Sequence, residues 1–410
     1  MMLRCAILMF CILLFISVAS AQEPRKPRPP VQLTDEALRI HREAIVIDGH
    51  NDLPWMFREK KDLSFSKLDI TKPCKDLHTD IPRLRQGGVG AQFWSAFVPA
   101  SSRKDGAAVR MTLEQIDVIL RMVKAHPQDF EMAYGPADIE RIHKDGKIAS
   151  LIGVEGGHSI DNSLGVLRML YALGVRYMTL THSETLDWAD SATDKPKNNG
   201  LSDFGRDVVR EMNRLGMLVD LSHVSVDVMK QAIEISKAPV IFSHSSAFAL
   251  AQHPRNVPDD VLKLVKANGG VVMVNFYPGF ITPEGARASR DMFEAHRRLR
   301  EQIKDDKELN IAWEQWKKEH PTPRGSVHTV VDHIEQIIKV AGIDHVGLGS
   351  DFDGIPSTPI QLDDVSYYPY ITQELLNRGY KKDEILKVLG GNLLRVFREA
   401  ERVRDEKVTR

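Results

Sequence analysis

Eight short runs rich in β-branched and aromatic residues, separated by helix-periodic segments, constrain the fold of this 410-residue chain more than any other feature. The runs are AIVID (44–48), VGAQFWSAFV (89–98), IASLIGVEG (148–156), VRYMTLTHS (175–183), MLVDLSHV (217–224), PVIFSHSS (239–246), GGVVMVNFY (269–277) and HVGLGSDFDG (345–354). Between them lie amphipathic stretches such as LEQIDVILRMVKAH, DVVREMNRLG and PDDVLKLVKANG, in which apolar residues recur at three and four and which often end in glycine. Strands apolar on both faces, each followed by a helix, make a parallel sheet covered on both sides. Eight such units predict an α/β fold, a closed (β/α)8 TIM barrel. A doubly wound nucleotide-binding sheet is the alternative, but no strand is followed by G-x-G-x-x-G with an acid about 20 residues on.

One unit is irregular. Between the seventh and eighth runs, residues 281–326 carry a charged helical insertion that includes ASRDMFEAHRRLREQIKDDKELNIAWEQWKKEH. It is long enough for a helical hairpin over one rim of the barrel, as a lid, as the contact face of a homodimer, or as a solvated excursion.

The first 21 residues differ from the rest. Arg4 is their only charge, an apolar run extends from Cys5 to about Val18, and Ala19-Ser20-Ala21 is a small-x-small cleavage pattern. The run is short for a membrane span, which needs about 20 residues, so a cleaved signal peptide at 1–21 is expected, then a Pro-rich tether at 22–33 and a single domain at 34–410. Cleavage would leave Cys74 as the only cysteine, which cannot close an intrachain disulfide, so a large core must carry stability. No Asn-x-Ser/Thr acceptor occurs. Together these favour a secreted or periplasmic protein. The net charge of -1, without a dense basic block, gives no reason to expect nucleic acid or an anionic membrane as partner.

Catalytic groups of such barrels gather at the C-terminal ends of the strands. Here those ends carry His50 and Asp52, Glu155, His182, His223, His244, Tyr277, and Asp351 with Asp353. In a strand, residues two apart point to one side, so His50 and Asp52 would aim an imidazole and a carboxylate at one point. A single strand-end histidine is more often structural, and an Asp there often caps the next helix. Glu155 is harder to dismiss, because an unpaired carboxylate at the mouth of a buried strand is costly and a cation offsets that cost. Three histidines and several carboxylates exceed the three ligands of a mononuclear catalytic zinc. They suit two metals ~3.5 to 4 Å apart that share a carboxylate and a hydroxide: His50 and Asp52 on one, His223 and His244 on the other, Glu155 across both. Asp351 is then left for proton transfer and His182 for the oxyanion. Arg255, in QHPRNVPDD, is a candidate anchor for a substrate carboxylate, and Tyr277 a substrate contact.

At these residues the chain resembles the membrane dipeptidase (renal dipeptidase) family of zinc metallopeptidases. The likeness runs in order through VIDGHNDLPW, GGVGAQFWS, KIASLIGVEGGHSIDNSLGVLRMLYALGVRYMTLTHS, VDLSHVS, PVIFSHSSA, RNVPDDVL, VMVNFY, HVGLGSDFDG and GNLLRVF. It implies a barrel of the amidohydrolase type holding two Zn2+ bridged by Glu155 and hydroxide, with His50, Asp52, His223 and His244 as the other ligands. It also implies His182 as the polarising histidine, Arg255 on the substrate carboxylate and Asp351 as acid/base. The implied activity is hydrolysis of dipeptides, including those with a C-terminal D-residue; the alternative is a binuclear hydrolase of β-lactams, lactones or N-acyl amino acids. Unlike animal members, the chain ends in the charged REAERVRDEKVTR, so no lipid anchor is expected. The 281–326 insertion and ETLDWADSATDKPKNNG after His182 also depart from the animal pattern and bear on substrate preference.

Overall fold

The computed structural model describes residues 28–60, 63–104, 106–320 and 323–404. The expected signal segment 1–21 and the first part of the tether lie outside these residues. From Val31 onward the chain forms one compact unit. Val31 is already tied into it, donating its N–H to Gln361 Oε1 at 2.8 Å and accepting from Gln361 Nε2 at 2.9 Å.

All eight runs form strands; seven of these are shorter than the run that contains them, whereas the first starts two residues into its run and continues past it to Asn51. They are β1 (Val46–Asn51), β2 (Val89–Phe97), β4 (Ile148–Glu155), β5 (Val175–Thr179), β6 (Leu218–Asp220), β7 (Ile241–Phe242), β8 (Val271–Val274) and β9 (Val346–Leu348). Every pairing is parallel, and the ring β1-β2-β4-β5-β6-β7-β8-β9 closes on itself. The expected (β/α)8 barrel is the observed fold. An additional strand, β3 (Phe130–Met132), takes the first half of the β4 edge, along Ile148–Ser150, and β5 takes the second, from Ile152. Three residues are too few to register as a period in the sequence.

Alternation along the strands sorts the apolar residues into two sets. Ile47, Phe93, Leu151, Tyr177, Leu218, Ile241 and Met273 pack together in one buried cluster. Their neighbours Val46, Trp94, Ile152, Met178, Val219, Phe242 and Val272 belong to the larger cluster shared with the helices. The smaller cluster fills the barrel, as layered side chains do in this fold. It also takes in Leu393, Val396 and Phe397 of the helix Asn392–Val403. That helix seals the end where strands begin: Asn392 donates to the carbonyls of Ile343 and Val346, and Arg395 to that of Gly269. The opposite, C-terminal end is left open.

The insertion forms two helices, Pro283–Gln302 and Asp306–Glu319. Thr282 starts the first by accepting from Gly285 N at 2.8 Å, with Pro283 at the position where a missing N–H costs nothing. Met292 of this helix lines the cavity at the open end of the barrel, so the insertion contributes to the wall of that cavity.

Candidate metal centre

The open end holds a cavity of about 360 Å³ lined by Asp52, Glu155, His182, His223, Arg255, Tyr277 and Asp351, with apolar walls from Trp55, Phe97, Phe280, Met292 and Ile355. That is within the usual size of small-molecule sites. Every residue singled out at a strand end either lines this cavity or, like His50 and His244, lies directly beneath it.

Glu155, the last residue of β4, is the hub. Its Oε2 faces His50 Nε2 at 3.6 Å, whereas its Oε1 faces His223 Nε2 at 3.0 Å, His244 Nε2 at 3.4 Å and His182 Nε2 at 3.7 Å. His50 Nε2 also lies 3.2 Å from Asp52 Oδ2. His50 and Asp52 do converge, but not along a regular strand: the β1 register shifts between Asp48 and Asn51, and Asp52 is already the cap of the helix Leu53–Glu59. Gly354 crowds this corner so closely that a Cβ there would lie 2.2 Å from Asp52 Oδ2.

The donor set fits divalent cations. His50 Nε2 is buried and, apart from the Asp52 carboxylate 3.2 Å away, has no hydrogen-bond partner among the described residues. His223 Nε2 and His244 Nε2 meet at 2.9 Å, and two ring nitrogens converge in this way when both aim lone pairs at one ion. His50, Glu155 and His244; Glu155, His182 and His223; and His50, Asp52 and Asp351 each bring three ligand atoms within 4.8 Å of one another. These groups overlap at Glu155 and His50, and they place His182 and Asp351 within reach of the same centre as the five expected ligands.

Burial lowers His50, but Tyr177, Asp52 and Glu155 outweigh it and hold that ring well above an ordinary histidine; at the other histidines of the site burial prevails. It pulls His223 and His244 well below an ordinary histidine, with the Arg255 charge adding to the shift in both, so both rings are in the neutral form that binds metals. Glu155 goes the other way, because His50, His182, His223 and His244 outweigh the cost of burying it and hold it well below the usual glutamate value. Asp351 is pushed up to about 7 by burial, with the charges of Asp52 and Glu155 adding to the shift. A cation beside it would draw that value down again.

Asp351 is held by Asn275 Nδ2, which donates to its Oδ2 at 2.8 Å, and by its own N–H on His50 O at 3.1 Å. Its φ of 66° is left-handed, as are those of His223 at 68° and Asp353 at 64°. Such conformations in non-glycine residues persist where surrounding contacts over-determine them, and they cluster at functional sites. Arg255 is buried, with Nη1 on Ser245 Oγ at 3.3 Å and Nη2 on His244 O at 3.2 Å. Its Nε has no partner, and its guanidinium lies 5.2 Å from the Phe280 ring centre. Tyr277 stands edge-on to Phe280 at 4.9 Å, completing that wall.

Sequence reasoning passed over Asn275, Asp48, Asp220 and Ser243. Asn275 directly follows β8 and could have been read as a polar strand end like the others. Asp48 sits inside β1, and Asp220, although it ends β6, lies in the middle of the run MLVDLSHV, so neither gives such a signal.

Comparison with known proteins decides the family. The model of the membrane dipeptidases (peptidase family M19) matches residues 34–410. The chain belongs to the membrane dipeptidase family. Dipeptidase 3 of Mus musculus is 41% identical over 380 residues, covering 92% of this chain and 68% of the mouse protein. In fold, the probable dipeptidase PvdM of Pseudomonas aeruginosa superposes with a TM-score of 0.77 at 25% identity, over 90% of this chain and 98% of that one. A metallopeptidase of Rhodobacter sphaeroides, solved with a phosphinate mimic of the dipeptide L-Ala-D-Ala, superposes with a TM-score of 0.70 at 24% identity, over 87% and 99%. The chain is thus a hydrolase of the metal-dependent dipeptidase class.

Proposed function

We propose that this membrane dipeptidase homologue cleaves dipeptides, including those with a C-terminal D-residue, with two zinc ions: one held by His50 and Asp52, one by His223 and His244, and Glu155 shared. The observation that carries this reading is the division of Glu155, whose two oxygens face two different groups of ligand atoms. Bound there, the cations supply Lewis-acid polarisation of the scissile carbonyl and lower the pKa of a water enough to make it a nucleophile near neutral pH. The chain's own groups do the rest. Arg255 pairs with the substrate carboxylate, a role supported by its burial and its unpartnered Nε. Asp351, oriented by Asn275, takes the proton of the attacking water and returns it to the departing amine. His182, packed between Phe97 and His223, donates to the oxyanion. Tyr277 and Phe280 exclude water beside Arg255.

The test is an activity panel of L,L and L,D dipeptides and a carbapenem, run on zinc-loaded protein together with elemental analysis. Dipeptide turnover with two zinc ions per chain is expected; turnover of the carbapenem alone would favour the lactam reading. Asp351→Asn should lower kcat at least ~10²-fold, and a smaller loss would remove Asp351 from the mechanism. The leader 1–21 supports a secreted or periplasmic location. Amino-terminal sequencing of the mature protein checks this, and retention of residues 1–21 would count against it.

A further inference from the structure

We infer that Tyr177, and Asp220 acting through Ser243, are positioning residues that each lock one ligand histidine in the tautomer presenting a bare Nε2 to the metal centre. The inference rests on the metal-binding reading given above.

The His244 side is a relay. Asp220, the last residue of β6, accepts from Ser243 N at 2.8 Å and Ser222 N at 3.1 Å on Oδ1, and from Ser243 Oγ at 2.6 Å and Thr179 Oγ1 at 2.5 Å on Oδ2. The single Ser243 hydroxyl proton is therefore spent on a carboxylate. What remains on Ser243 Oγ for His244 Nδ1, 2.8 Å away, is a lone pair. Nδ1 must carry the ring proton, and Nε2 is left bare toward Glu155 and His223. The opposite tautomer would set two lone pairs against each other or take the serine proton from Asp220.

The His50 side reaches the same result without a charge. His50 Nδ1 lies 2.8 Å from Tyr177 OH, and that hydroxyl lies 3.2 Å from Gly49 O. A carbonyl can only accept, so the phenol proton goes to Gly49 O and the phenol oxygen accepts from Nδ1–H. The ring of Tyr177 has room to reach across the barrel because residue 153 on β4 is glycine; a Cβ there would lie 2.0 Å from Tyr177 Cζ. His50 Nε2 is the nitrogen turned toward the Asp52 and Glu155 carboxylates.

Second partners of this kind typically alter metal affinity 10–100-fold, and here they act on different ligands. Ser243→Ala and Tyr177→Phe, each loaded with zinc, would be dialysed against graded chelator and assayed for zinc per chain, with thermal melts confirming the fold. In each variant one of the two ions should leave at about 10–100-fold lower chelator concentration than in wild type, while the other leaves as in wild type. The cobalt-substituted forms should show this as loss of part of the d–d absorption, and Ser243→Thr, which keeps the hydroxyl, should restore retention. Release of both ions at wild-type chelator concentrations would overturn the inference, as would equal weakening of both ions together with a lowered melting temperature. If Ser243→Ala does not fold, Tyr177→Phe, which removes one oxygen, decides alone. Wild-type protein that takes up no metal would instead overturn the metal-binding reading.

Discussion

Asp48 on β1 and Asp220 on β6 stand four strands apart in the eight-strand ring, and they are bonded in the same pattern, oxygen by oxygen. Asp48 Oδ1 accepts from Ser350 N at 2.8 Å and His50 N at 3.3 Å, and its Oδ2 from Ser350 Oγ and Tyr368 OH, both at 2.7 Å. Asp220 takes the corresponding bonds from Ser243 N, Ser222 N, Ser243 Oγ and Thr179 Oγ1. In both, the serine begins the segment after a neighbouring strand, and the residue that follows it is a site residue, Asp351 or His244. The barrel thus uses one clamp twice, on opposite walls, to fix where its chemical groups leave the sheet. The differences lie in the serine and in the fourth donor. Ser350 Oγ also lies 3.3 Å from His50 O and accepts from Phe352 N, so it organises backbone, whereas Ser243 Oγ reaches the ring of His244. Tyr368 belongs to the outer helix Tyr368–Asn377, whereas Thr179 belongs to β5.

The largest expected effect comes from removing either clamp. Asp48→Ala and Asp220→Ala each leave four buried donors without their acceptor, and on the order of 1 kcal/mol per donor gives a loss of about 4 kcal/mol in each case. Denaturant unfolding measures this. Similar losses for the two variants would support a shared design; a loss under ~1 kcal/mol in one of them would show that only the other wall is clamped.

Near β7 the outer layer is tied down by His333, whose Nδ1 accepts from Ala247 N at 3.0 Å while its Nε2 donates to Ile281 O at 2.9 Å. The bond to Nδ1 requires the neutral ring, and burial pulls its pKa down to about 4. Between that value and the ~6.5 of an exposed histidine, the unfolded chain binds a proton that the folded chain does not. Stability therefore falls as pH drops through this window and stops falling, for this group, below it. The contribution is on the order of 3 kcal/mol at 1.36 kcal/mol per pH unit. His333→Gln should reduce the slope of unfolding free energy between pH 6.5 and 4 by about one proton's worth. An unchanged slope would mean that other buried histidines, His78, His158 and His253 among them, account for the acid response.

What the sequence made legible follows from these devices. The eight runs could be read because each strand of a covered parallel sheet must be apolar on both faces. The candidate ligands that line the cavity could be picked out because polar residues at the ends of such strands are rare enough to count. His50 and Asp52 were legible through a period-two pattern, yet the backbone reaches the same convergence by a register shift and a helix cap. The clamps were not legible. Their partners are 302 residues apart for Asp48 and Ser350 and 23 for Asp220 and Ser243, and half of each clamp's donors are backbone N–H groups, which carry no sequence identity. Tyr177 was hidden differently, as one more aromatic residue in a buried strand, its role visible only once Gly153 and His50 are seen around it.

The smallest expected effect is the sharpest test of whether the walls are independent. Tyr368→Phe removes the fourth donor from Asp48, and Thr179→Val removes the fourth donor from Asp220 with little change of shape. Each carboxylate keeps three donors, so each substitution should cost about 1 kcal/mol, near the usual net value of one buried hydrogen bond. Because the two sites share no partner, the double variant should lose the sum of the single losses to within ~0.5 kcal/mol. A larger departure from additivity would mean that strain at one wall is felt at the other. The mouth of the barrel would then behave as one frame, and each clamp's effect on the histidine it supports would have to be measured with the opposite clamp intact.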